Sequence, residues 1–139
     1  MSLIEEQDVS LILEYDKQCF GYTRTQFMIA WLKMPQSKSF QYKIDEKVAG
    51  FCVLRKATKG YKIGPLFADD EIIAEELYKT CLSAVSQGED IYLDIPVVNK
   101  AAQALVKKYN ANYVFECARM YYGGPPKLPL DKIFGITTF

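Results

Sequence analysis

Apolar residues recur first at helical spacing, then at alternate positions, then at helical spacing again. Val9, Ile12, Leu13 and Tyr15 place an apolar stripe on a first helix that Asp8 can cap and that ends before Phe20-Gly21-Tyr22. Thr23 or Thr25 can begin a second helix, which carries Phe27, Met28, Trp31 and Leu32 to a stop near Pro35. From Ser39 the period falls to two. Phe40, Tyr42 and Ile44 alternate with polar neighbours, Asp45-Glu46-Lys47 makes a turn, and residues 48–54 are almost continuously apolar. After a polar, basic turn around residues 56–60, residues 61–67 read as a third strand interrupted by Gly64-Pro65.

Asp69-Asp70-Glu71 suit the positive end of a long helix whose apolar face is Ile72, Ile73, Leu77, Leu82 and Val85, ending at Gln87-Gly88. Residues 90–95 follow as a buried strand, 99–109 as a helix and 113–122 as a long strand. The tail runs through Gly123-Gly124-Pro125-Pro126 to residues 132–139, which can supply one last edge strand. The order is ααβββαβαβ with a terminal β, and the helix between the third and fourth strands makes them parallel neighbours. The expected fold is therefore α/β (α+β), one domain over residues 1–139, with a mixed, mostly antiparallel sheet flanked by helices. Its first strand is short or missing, because Met1-Ser2-Leu3 is given no structural weight.

Composition narrows the chemistry. The chain of 139 residues contains no histidine, which removes imidazole bases, Ser-His-Asp and Cys-His catalysis and every His-containing metal site. Seventeen Lys+Arg balance seventeen Asp+Glu, so no long-range field draws nucleic acid or an anionic membrane. Cys19, Cys52, Cys81 and Cys117 lie about thirty residues apart without a C-x-x-C pair, which reads as free, mostly buried thiols in a reducing, cytoplasmic compartment. No apolar run is long enough to span a membrane, and the first residues lack the basic head and apolar stretch of a signal peptide.

Several phrases carry a family resemblance: Asp16 with Phe20-Gly21 and Arg24; Ile63-Gly64-Pro65-Leu66-Phe67-Ala68-Asp69; Leu93-Asp94-Ile95-Pro96 with Asn99; and Arg119-Met120-Tyr121. With the element order, they resemble the GCN5-related N-acetyltransferase (GNAT) superfamily over residues 8–122. In particular, they are similar to a divergent acetyltransferase domain that is often the second of two such units. The resemblance implies an acyl-CoA cosubstrate, acetyl-CoA, held at a splay between two parallel strands, its pantetheine arm hydrogen-bonded to backbone like an extra strand. Here those strands are 61–67 and 91–95, and Gly64-Pro65 marks a bulge that either opens them or is purely structural. Ile63, Gly64, Leu66, Leu93, Ile95, Asn99 and Lys100 are the implied cofactor-binding residues, with Lys100 suited to a CoA phosphate. Asn99 either touches the cofactor or simply caps its helix.

Two departures accompany the resemblance. The glycine-rich pyrophosphate loop of the family, R/Q-x-x-G-x-G/A, falls on Ala68, Glu71 and Ile73, and the carboxylates of residues 69–71 would repel a pyrophosphate. The family tyrosine that protonates the departing thiolate falls on Val106, which leaves Tyr109 in a shifted register, or Tyr92, Tyr121 or Tyr122, as acid. The catalytic candidates are thus Asp94 as base, with Tyr109 and Tyr121. Asp94 alternatively pairs with Arg119 or bonds the following loop. Asp16 and Arg24 are either a substrate-facing pair or a salt bridge fixing the helix corner. Arg55, Lys56, Lys59 and Lys62 read as a solvated hairpin turn.

Two principal functions follow. One is an acyl-CoA-dependent N-acetyltransferase acting on a small amine or a peptide, without a metal. The other is a catalytically degenerate module that binds a ligand or partner. A third reading, acyl transfer through Cys19 or Cys117, would need Lys, Arg or a helix end to lower the thiol pKa. A homodimer or a companion acetyltransferase domain is the expected association, with no nucleic acid and no membrane.

Overall fold

A computed structural model describes residues 2–21, 23–57, 60–85, 89–93, 95, 99–109 and 132–135. Its elements are β1 (Ser2–Leu3), a 3-10 turn (Glu6–Asp8), α1 (Val9–Phe20), α2 (Thr25–Leu32), β2 (Ser37–Ile44), β3 (Lys47–Lys56) and β4 (Tyr61–Ala68). They continue as α3 (Glu71–Ser83), β5 (Ile91–Leu93), α4 (Lys100–Lys108) and β6 (Ile133–Gly135). The sheet runs β1-β2-β3-β4-β5, and β6 also pairs with β4. β1 to β4 are antiparallel neighbours, while β4 and β5 are parallel, as the crossover through α3 requires.

The opening helices form where their stripes predict, although on α2 only Met28 is fully buried and Phe27 is exposed, and the corner between them depends on Gly21. At φ +94° it ends α1 in the left-handed region, donating its N–H to the Lys17 carbonyl. Asp8 does not cap α1 through its side chain. Its carboxylate instead accepts from the Glu5 N–H, Gln41 Nε2 and Lys43 Nζ, tying the 3-10 turn to β2. Asp70 is the N-cap of α3, accepting the Ile73 N–H at 2.9 Å.

Two apolar clusters lie on the sheet. One joins Ile12, Tyr15, Cys19 and Met28 to Phe51, Val53, Phe67 and Ile133; the other joins α3 and α4 to Cys52, Leu54, Ile63, Leu66 and Phe134. Both faces of the central strands are covered, so β3 reads as a continuous apolar run.

The first strand is short, as expected: Ser2 and Leu3 pair with Gln41 and Phe40. Other expectations need correction. Ile72 is exposed, and α3 turns Ile73, Ala74, Leu77, Tyr78 and Cys81 inward, because the buried stripe follows the i, i+4 rows that start at Ile73. α3 stops at Ser83, short of Gln87-Gly88. β5 is shorter than 90–95 and half-buried, since only Ile91–Leu93 pair with β4. The terminal strand forms within the expected tail, over Ile133–Gly135 and paired with β4, and its Ile133 and Phe134 are core residues. The strand expected over 113–122, with Cys117, lies outside the described residues.

Candidate functional site

β4 positions the site. Its register against β3 slips so that Gly64 and Pro65 together stand between the pairs Leu54↔Ile63 and Cys52↔Leu66, opposite Val53 alone. Two residues facing one is a bulge, and the Gly64-Pro65 peptide there is cis. Trp31 of α2 donates its Nε1–H to the Gly64 carbonyl at 2.9 Å, fastening the bulge to the opening helices. The parallel pairing with β5 covers Tyr61, Lys62 and Ile63 and ends at Ile63↔Leu93. Beyond this point the outer edge of β4 changes partner.

That partner is β6. Leu66 pairs with Gly135 and Phe67 with Ile133, so the chain's own strand lies on the stretch of β4 that β5 leaves. Ile133 enters the cluster under α1 and α2, whereas Phe134, 1% exposed, enters the cluster under α3 and α4. Burying two such side chains stabilises the arrangement by about 3–6 kcal/mol in transfer terms. A Cβ on Gly135 would lie 2.6 Å from Leu93 Cδ1 and 3.0 Å from Leu66 Cβ, so the strand fits only because glycine stands there.

Polar groups hold β6 where it begins. Asn99, buried at the start of α4, accepts the Ala102 N–H through Oδ1 at 3.0 Å and donates Nδ2 to the Ile133 carbonyl at 2.9 Å. Lys132 Nζ stands 3.4 Å from Asp69 Oδ1, and the same carboxylate oxygen accepts from the Tyr15 hydroxyl at 2.9 Å. Burial holds the Tyr15 phenol well above its ordinary range and pushes the Cys19 thiol up to about 12. Neither supplies a ready anion at neutral pH.

Of the cofactor-binding candidates, Ile63, Gly64 and Leu66 are buried in β4, while Leu93 and Ile95 are half-buried at and beyond β5. Asn99 is the α4 cap and a β6 contact, and Lys100 is exposed in the first turn of α4. Tyr109 donates its hydroxyl to Glu75 of α3 at 2.9 Å. Burial and that carboxylate raise the phenol above its ordinary value. Lys108, which also bonds Glu75 at 2.6 Å, holds the carboxyl low. Asp94 and Tyr121, with Tyr122 and Arg119, lie outside the described residues. Asp16 and Arg24 form a bidentate ion pair at 2.6 and 2.8 Å, with Asp16 1% exposed and the guanidinium 3.8 Å above the Phe20 ring. That geometry joins the α1–α2 corner. Of the basic residues expected in a solvated hairpin turn, Arg55 and Lys56 end β3, lying over Trp31 and Tyr61, Lys62 belongs to β4, and Lys59 lies outside the described residues.

The arrangement does not fit an acyl-CoA in the cleft between β4 and β5. An extended arm would need an open outer edge on β4, and along Leu66 and Phe67 that edge is already paired with β6. The Asn99 amide is directed at Ile133, and Asp70 already caps the α3 N-terminus that a pyrophosphate would approach. Lys132, Ile133, Phe134 and Gly135 lie in the tail that the sequence marks as a terminal strand, but sequence reasoning gave them no place in the site. The signal available was the apolar pair between Lys132 and Gly135.

An α/β domain with two opening helices, an antiparallel meander and one parallel crossover is the architecture of an acyltransferase domain. The chain belongs to the family described as the acetyltransferase (GNAT) domain, which it matches over residues 12–135. It is 25% identical over 135 residues to the holothin acyltransferase of Pseudoalteromonas sp. (strain SANK 73390), a match that covers 97% of this chain and 46% of that protein. A Pyrococcus horikoshii structure provisionally described as an acetyltransferase superposes at a TM-score of 0.75 with 25% identity, covering 99% of this chain and 45% of that one. The ribosomal-protein-S18-alanine N-acetyltransferase of Escherichia coli shares the fold at a TM-score of 0.68 and 16% identity, over 82% of this chain and 77% of its own. The chain thus spans less than half the length of the first two proteins. Among the described residues, no helix is long and apolar enough to cross a membrane, and no cluster of metal-ligating side chains is present.

Proposed function

We propose that this domain serves N-acyl transfer, in which an acetyl group passes from acetyl-CoA to the nitrogen of a small amine or a peptide. The observation that carries the reading is the family match over almost the whole chain. The likeness to an acyltransferase twice as long supports a division of the work with a companion acetyltransferase-like unit. The balanced charge gives no support to a nucleic-acid or membrane partner.

A second reading is favoured by one specific contact, the Asn99 amide donated to Ile133. In it, the domain is catalytically degenerate and binds a ligand or partner. The two are separated by assaying the intact protein from its natural source, with acetyl-CoA and a panel of small amines and peptides, following acetylated product by mass spectrometry. Product formation is expected. Its absence across the panel at saturating acetyl-CoA refutes the acyl-transfer reading and leaves the binding module.

A further inference from the structure

We infer that β6 is a built-in plug, a strand of this chain that closes the β4–β5 cleft against any extended ligand, the arm of an acyl-CoA included. The inference rests on the reading of acyl-CoA as the acyl donor, and it assigns that donor to a site other than this cleft. A ligand that adds to a sheet edge needs free N–H and C=O groups there. On the outer edge of β4, Tyr61 to Ile63 are paired with β5, and Leu66 and Phe67 are paired with β6.

Three independent features make the closure a property of the fold rather than a loose tail. Ile133 and Phe134 point to opposite faces and complete both apolar clusters, so the strand cannot lift without opening two cores. The Asn99 amide and the Lys132–Asp69 ion pair hold its backbone and its entry. Gly135 brings the strand within van der Waals contact of Leu66 and Leu93, the residues lining the two sides of the opening. The side chain that the family resemblance implies for cofactor contact is therefore spent on the plug.

The test is nuclear magnetic resonance of the labelled 139-residue chain, titrated to about 1 mM with acetyl-CoA and, separately, with pantetheine. Pantetheine lacks the phosphates and so isolates strand occlusion from charge repulsion. The expected result is that the amides of Ile133, Phe134 and Gly135 and the Asn99 side-chain amide keep their shifts and their exchange protection with both probes. Saturable shifts at these groups, or loss of their protection, with either probe overturn the inference. Saturable shifts elsewhere, with β6 unmoved, support the closure and place the donor at another surface. A variant combining Lys132→Ala with Asn99→Ser loosens both clamps and should speed exchange in β6 at least tenfold relative to β2 and β3; equal exchange in the two proteins overturns the clamping. Failure of the acyl-transfer reading is recognised separately, by the amine assay on the intact protein, which does not report on β6.

Discussion

Replacing Asn99 by Ala removes two buried hydrogen bonds with one truncation. The carboxamide oxygen caps α4 by accepting from Ala102, and loss of such a cap costs about 1 kcal/mol. The carboxamide nitrogen satisfies the Ile133 carbonyl in the core, and a buried acceptor left without a donor costs about 1–3 kcal/mol. The sum is about 2–4 kcal/mol, which at this chain length lowers the melting temperature by about 8–16 °C. Asn99→Asp separates the two contributions. Aspartate caps a helix as well as asparagine does and gains up to about 1 kcal/mol from the helix dipole, but it offers the Ile133 carbonyl a carboxylate instead of a donor. The two together leave a net loss of about 0–2 kcal/mol, and placing a charge in the core beside the carbonyl adds to it, so the Asp variant should be less stable than the parent. Urea denaturation followed by circular dichroism measures both. An Asp variant as stable as the parent would show that the bond to β6 contributes nothing, and the account of Asn99 as a strand clamp would fall with it.

The remaining expectations concern groups away from β6. Arg24→Ala leaves the Asp16 carboxylate buried without its guanidinium and should cost about 3–5 kcal/mol in urea titrations, whereas Asp16→Leu combined with Arg24→Met should recover most of it; equal losses would refute the buried-pair account. The hydrogen bond from Lys43 is the main reason the Asp8 carboxyl is lowered from 3.8 to about 2. Its stabilisation is complete above pH 4 and is lost as the pH falls toward 2. Asp8→Asn should accordingly flatten the acid limb of a melting-temperature profile between those values, and an unchanged slope would contradict the assignment. Cys19, Cys52 and Cys81 are free and buried, with the thiols of Cys52 and Cys81 in contact at 3.4 Å and burial raising the Cys52 pKa. In a Cys117→Ser background an aromatic disulfide reagent should release colour at pH 8 only after unfolding, and rapid reaction in buffer would overturn the burial.

What the residue pattern conveyed, and where it stopped, can be read from individual elements. The i, i+4 stripes of α1 and α2, the meander through β4 and the capping carboxylate of α3 were legible because each depends on neighbours a few residues apart. Gly64-Pro65 marked a local interruption, and the register against β3 turned it into a bulge. Which of Ile72 and Ile73 faces the core was not legible, since adjacent apolar residues differ only in helix phase. Nor was the choice for Asn99 between capping and another contact: its helix start was visible, but its second partner, Ile133, lies 34 positions away. Asp16 and Arg24 carried the same ambiguity until the packing showed a buried, bidentate pair.

By itself the sequence determined the fold class, the order of its helices and strands, the exclusion of imidazole chemistry and the absence of a glycine loop at α3. Each of these is set by composition or by short-range period. Tertiary structure alone decided who sits on the outer edge of β4. The residue pattern marked a terminal strand within 132–139 but gave it no partner, because Ile133-Phe134-Gly135 is too short for a period to assign its faces. Their place follows from two cores that each needed one more side chain and from an open strand edge that needed hydrogen bonds.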